Sequence, residues 1–136
     1  MPIQYTMIPD LKLVYVYASG SITGHDILAE GARMFQEQKW SNGFSILCDY
    51  RDIQQFNVDY DGILNIVSQD KQHEALFDQS KFAILTGTDV TYGIARMWTS
   101  LSVHTQIHSR IFKTLEDSLE WMNVDHLSFQ TVVGSP

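Results

Sequence analysis

Two short apolar runs, Phe44–Cys48 and Phe82–Leu85, constrain this chain most. Each is nearly continuous and strand-sized, the mark of a β-strand buried on both faces. A strand of that kind needs helices above and below its sheet, and the intervening segments have helical periodicity. Thr23-Gly24-His25-Asp26 has the capping-box form, a hydroxyl followed three residues later by an acid. Ile27, Leu28, Gly31, Met34 and Phe35 then recur on one helical face, and Ser41-Asn42-Gly43 closes the unit. A second helix is expected to start near Asp59 or Asp61 with Ile63, Ile66 and Val67 inward, and Gln69–Ser80 reads as either more helix or loop.

The remaining segments repeat the alternation. Thr86-Gly87-Thr88-Asp89 is a turn that can end in a cap, and Ile94, Met97, Trp98 and Leu101 form the stripe of a third helix beginning at Val90. Gln106–Phe112 alternates as a strand. Thr114–Asp117 is a second capping box, and Leu115, Leu119 and Met122 give the last helix its apolar face. From about Asn123 the pattern predicts a fraying tail. At the other end, Ile3–Ile8 and Leu11–Ala18 read as strands joined at Pro9-Asp10, hence an antiparallel hairpin. The predicted order is ββαβαβαβα, an α/β (α+β variant) domain over residues 1–136. It has a mixed sheet of about five strands and parallel units joined by right-handed crossovers.

At 136 residues the chain fits one domain, and 44% hydrophobic residues argue for a packed core rather than disorder. The net charge of −7 disfavours nucleic acid and anionic lipid as partners. No apolar stretch is long enough to span a membrane, and no basic-then-apolar leader is visible at Met1–Tyr5. One cysteine, Cys48, allows no internal disulfide, so a reducing cytoplasm is the expected setting.

The segments Lys81–Leu85, Tyr92–Trp98 and Ser109–Met122 resemble bacterial SpoIIAA-like proteins of the STAS-like group. In those proteins an arginine-containing helix precedes a strand of the form R-V-F and a helix of the form E-A-x-x-W-L. Leu47-Cys48-Asp49-Tyr50-Arg51-Asp52-Ile53 is similar to the D-x-R-x-V strand end of the same group. The resemblance spans most of the chain and implies the SpoIIAA/STAS-like mixed sheet. It also exposes a departure. Phosphorylation-switched members carry a D-S-S-G loop, and here Phe56-Asn57-Val58-Asp59-Tyr60 offers no serine at the matching places. Asp59 could act there as a fixed negative charge or as an ordinary helix cap.

Other candidate binding residues fall in two groups. Asp49, Arg51 and Asp52 lie where a central strand is expected to end, the usual place for ligands in open α/β sheets. Arg51 could grip an anion or a partner carboxylate, or simply pair with its neighbours. Tyr92 and Arg96 lie one turn apart on the third helix, near Thr86–Thr91, whose backbone N–H groups could form a weak anion site. Adjacent Met97 and Trp98 cannot face the same way, so one of them is a candidate subunit contact. Cys48, apolar in setting and next to an acid, is not expected to be a nucleophile. No spacing of the histidines makes a metal site, and no Ser-His-Asp or paired-carboxylate context stands out. These readings predict a non-catalytic regulatory or protein-interaction module, a candidate homodimer, with no cofactor and no metal. The alternative is a binder of a small apolar or lipid-like molecule, which needs several hundred cubic ångströms between helices and sheet.

Overall fold

A computed structural model describes residues 2–40, 43–78 and 80–134. The first hairpin pairs β1 (Ile3–Ile8) with β2 (Leu13–Thr23), antiparallel as the short connection requires. Between them Pro9–Leu11 forms a 3-10 turn that ends at Lys12 in the left-handed region, φ 50°. The strand therefore starts at Leu13, not Leu11. Next come α1 (Gly24–Met34), β3 (Ser45–Asn57), α2 (Tyr60–Gln72), β4 (Lys81–Thr86), α3 (Asp89–Leu101), β5 (His108–Phe112) and α4 (Leu115–Met122). The polar stretch after Gln69 divides: α2 ends at Gln72, and Glu74–Phe77 turns as a 3-10 helix that buries Phe77. The expected stop at Ser41-Asn42 lies outside the described residues.

The five strands lie side by side in chain order, with β2, β3, β4 and β5 parallel. Because the order never reverses, right-handed crossovers bring α1, α2 and α3 to the same face. There Ile27, Met34, Ile63, Ile66, Ala95 and Trp98 pack onto Val14, Val16, Cys48 and Ile84. The opposite face receives Leu119 and Met122 of α4, over Leu47, Ala83 and Leu85. Residues 46–48 of β3 and 83–85 of β4 are thus buried on both sides, as their apolar runs require.

Two expectations are corrected. The chain after Asn123 is not a fraying tail. It forms α5 (His126–Val133), capped by Asp125, whose carboxylate accepts from the Ser128 amide at 2.9 Å. Phe129, 2% exposed, anchors this helix edge-on against Tyr15, with ring centres 5.3 Å apart. The order is therefore ββαβαβαβαα. The third strand also does not stop near Asp49. β3 runs on to Asn57 beside the second half of β2, beyond the last β4 pairing at Tyr50–Thr86. Two register shifts accompany this extension, one between Tyr17 and Ser19 and one at Gly20, whose φ is 74°. Each leaves an extra residue in β3, the signature of a β-bulge.

The helix caps follow the sequence closely. Thr23 and Asp26 make a reciprocal capping box. Thr88 caps α3 by accepting from the Thr91 amide, and Thr114 caps α4 by accepting from the Asp117 amide. No described helix is long and apolar enough to cross a membrane.

Candidate functional site

The bulges of β3 build the site. An unbroken strand would turn Arg51 and Asp52 to opposite faces. The extra residue between Asp49 and Asp52 instead brings both to the α4–α5 side, while Ile53 and Phe56 pack into the core under the other helices. On β2, Tyr15 and Tyr17 alternate onto the same side. Tyr15 donates its hydroxyl to Asp49 Oδ2 at 2.8 Å, and Tyr17 donates to Asp52. The four residues form two tyrosine–aspartate rungs across the β2–β3 pair.

Arg51 folds back along its own strand. Its Nε donates to Asp49 Oδ1 and its Nη2 to Asp49 Oδ2, each at 2.8 Å, and its backbone N–H reaches Oδ1 at 3.3 Å. Asp49 is only 3% exposed. Burial works against its ionisation, but the bonds from Arg51 and Tyr15 outweigh it and hold the carboxyl below its ordinary value. The same contact raises Arg51. Tyr15 is pushed well up, first by burial and then by the aspartate it serves, and Tyr17 is raised chiefly by its bond to Asp52. These groups therefore stay in fixed protonation states near neutrality.

A cleft of about 520 Å³ opens over these residues. Its floor holds Tyr15, Tyr17, Asp49, Arg51 and Asp52, with Gln4 and Thr6 of β1. Leu115 at the start of α4 and Phe129, Val132 and Val133 of α5 form an apolar wall. The cleft lies on a sheet face, not beyond the strand ends where ligand sites were expected. With no reversal of strand order, the sheet has no switch-point crevice. What is left open is the part of one face that α4 and α5 do not reach. Gly87 packs against the Arg51 backbone so closely that a Cβ there would overlap the Arg51 carbonyl oxygen.

The other candidate residues lie elsewhere. Asp59 is an N-cap, accepting from the Gly62 amide at 2.7 Å, and lines a depression between α1 and α2. Tyr92 and Arg96 touch each other, Nη1 to the hydroxyl at 3.4 Å, with Lys113 Nζ 6.0 Å from the tyrosine ring. Neither lines the Arg51 cleft. Trp98 is corrected from a surface candidate to a core residue. It is 6% exposed, packs on Phe82 and donates Nε1 to Asp70 Oδ2 at 2.9 Å. Met97 is the exposed member of that pair.

Beneath α1–α3 the apolar space is small. One cavity of about 60 Å³ borders Trp98 and Ile94, and another of about 40 Å³ borders Asp70 and Glu30. Both fall short of the several hundred cubic ångströms that a lipid-like ligand needs. Cys48 borders both, and burial pushes its thiol up to about 12, which suits a core residue. Among the described residues no group of three or more His, Cys, Asp or Glu side chains is placed to hold a metal ion.

An uncharacterised protein of the DUF3478 family from Shewanella loihica PV-4, solved with a SpoIIAA-like fold, superposes on 88% of this chain and 91% of its own. The TM-score is 0.59 at 15% identity. The chain has the SpoIIAA-like fold. No protein-family model matches it, and no curated protein matches it. At 15% identity the likeness carries the architecture alone.

The sequence located Asp49, Arg51 and Asp52 but missed Tyr15, Tyr17 and all of α5. The strand reading of Leu11–Ala18 puts Tyr15 and Tyr17 on one face. What it lacked was the register that sets Tyr15 across from Leu47, within reach of Asp49.

Proposed function

We propose that this chain is a non-catalytic protein-interaction module of the SpoIIAA type, working without a serine switch, and that the Arg51 cleft is its recognition surface. The observation behind this reading is the locked state of the cleft. The one cation lining it among the described residues is tied by two bonds to a buried carboxylate, and both tyrosine hydroxyls are engaged by acids. Such a set presents a fixed pattern of charge and shape, which suits recognition. General acid–base work calls for a group poised to titrate near neutrality, and the bonds here hold Asp49 and Arg51 far from that range. Asp59 supports the absence of a switch, because it occupies the cap position at the start of α2. The expected setting is a bacterial cytoplasm, and the partner is a protein, a second copy of the chain included.

The test is affinity capture from the producing cells with wild type and Asp52→Lys, a substitution at an exposed site that leaves the buried pair intact. A protein held by wild type and lost from the variant is the expected result. Identical captured sets from the two, with both folded, would overturn the reading.

A further inference from the structure

If the cleft is a recognition surface, the reading on which this inference rests, its charge balance bears on the chemistry of what enters. Among the described residues three charged side chains line it: Asp49, Arg51 and Asp52. The charge of Arg51 is already matched by Asp49 through two 2.8 Å bonds. Asp52 shares the cleft with Arg51, yet it pairs with no cation among the described residues. Among the described residues its side-chain partner is the Tyr17 hydroxyl. The cleft therefore carries one carboxylate in excess, on a chain whose net charge is −7.

Of the two readings drawn for Arg51, this balance agrees with pairing to a neighbour and disfavours a grip on an anion. An incoming anion would meet a guanidinium already neutralised from behind, with Asp52 repelling it from the side. An incoming cation would meet a carboxylate with open lone pairs and the rings of Tyr15 and Tyr17 beside it, both attractive to positive charge. The facing wall is apolar, formed by Leu115, Phe129, Val132 and Val133. A ligand that suits both walls has a positive head and an apolar stem, the build of lysine and arginine side chains and of simple alkylamines.

We propose that the cleft binds an ammonium or guanidinium head at Asp52, with its apolar stem laid along Val132, Val133 and Leu115. The head belongs to a lysine or arginine side chain of a partner protein, whose aliphatic stem suits the apolar wall.

The experiment follows backbone amide shifts of the isotope-labelled full chain during titration with hexylamine and, separately, with hexanoate. Hexylamine is expected to move amides of Tyr15–Ser19, Asp49–Asp52 and Val132–Gly134, and hexanoate to leave them in place. Asp52→Asn keeps an acceptor for Tyr17 and should weaken hexylamine binding about five-fold or more. Asp61→Asn, on the opposite helical layer, should leave it unchanged. An end-blocked Leu-Lys-Leu peptide is expected to bind about ten-fold tighter than hexylamine, and equal or weaker binding would overturn the assignment to a protein side chain. The proposal is overturned if hexanoate moves the cleft amides, if hexylamine does not, or if Asp52→Asn binds hexylamine as wild type does. Should it fail while Asp52→Lys still abolishes partner capture, the recognition reading stands and only the assigned chemistry falls.

Discussion

Arg51 closes a two-pronged grip on Asp49, two residues back along the same strand, with Nε on Oδ1 and Nη2 on Oδ2 at 2.8 Å each. One side of the pair is buried, and the Arg51 side chain is 31% exposed. Truncating Arg51 to alanine strands the Asp49 carboxylate in the interior. The expected loss is about 2–3 kcal/mol, at the low end for a broken buried pair because the guanidinium is partly solvated. The folded-state carboxyl of Asp49 lies below its ordinary value. Its contribution is thus present above the unfolded carboxylate range and fades as pH falls through the lower, folded value. Urea unfolding of wild type and Arg51→Ala at neutral and acid pH checks this. The gap between the two should narrow in acid.

Asp70 behaves in the opposite sense. It lies in the last turns of α2, 5% exposed, and accepts a hydrogen bond from Trp98 Nε1. Glu30 of α1 and Cys48 and Tyr50 of β3 border the same small cavity, and the nearby guanidinium of Arg33 is bonded to Glu30. Burial pushes the Asp70 carboxyl up to about 7, the bond from Trp98 only partly offsetting it. The folded state therefore holds this proton where the unfolded chain releases it, and stability declines as pH rises from about 4 to about 7. Asp70→Asn keeps an acceptor for Trp98 and removes the ionisation. It should gain on wild type by on the order of 2–4 kcal/mol between pH 5 and pH 8. Thermal melts across that range measure it, with Trp98 fluorescence as a local reporter.

Gly87 and Gly93 should respond oppositely to alanine. At Gly87 the new Cβ would overlap the Arg51 carbonyl oxygen, a backbone atom that cannot swing away. Gly87→Ala is expected to destabilise by about 1–3 kcal/mol. At Gly93, an exposed position inside α3, nothing lies within 4 Å of the added carbon. There alanine should stabilise by about 0.5–1 kcal/mol through helix propensity. Denaturant midpoints of the two variants decide the comparison.

The last helix depends on one side chain. Phe129 is the buried residue of α5, and Phe129→Ala removes its contact with Tyr15. The expected loss is about 3 kcal/mol, with amide exchange in α5 rising far more than in β4. Uniform acceleration across the chain would contradict the idea that α5 is docked through this residue.

Much of the architecture was legible in the sequence because its signals are local. Apolar runs marked β3 and β4, and Thr23, Thr88 and Thr114 marked three helix starts almost to the residue. The second half of β3 was not legible. Its inward residues, Ile53 and Phe56, are three apart, and a bulge replaces the alternation by which strands are recognised. The strand reading of β2 likewise stopped at Ala18, although Gly20 sits in that strand at positive φ. In α5, Leu127 and Val132 are exposed, so its apolar residues do not form the single stripe that announces an amphipathic helix. The cleft required the bulged strand and the docked helix together. Hence Asp49, Arg51 and Asp52 could be named, whereas the tyrosines that hold two of them and the wall that faces them could not.

The most direct measurement compares partner capture by Val132→Asp, on the apolar wall of the cleft, with that by Leu64→Asp, an exposed site on α2 across the sheet. If recognition takes place in the cleft, capture is lost with Val132→Asp and kept with Leu64→Asp, both proteins remaining folded. Capture lost with Leu64→Asp and kept with Val132→Asp would place recognition on the other face and contradict the assignment.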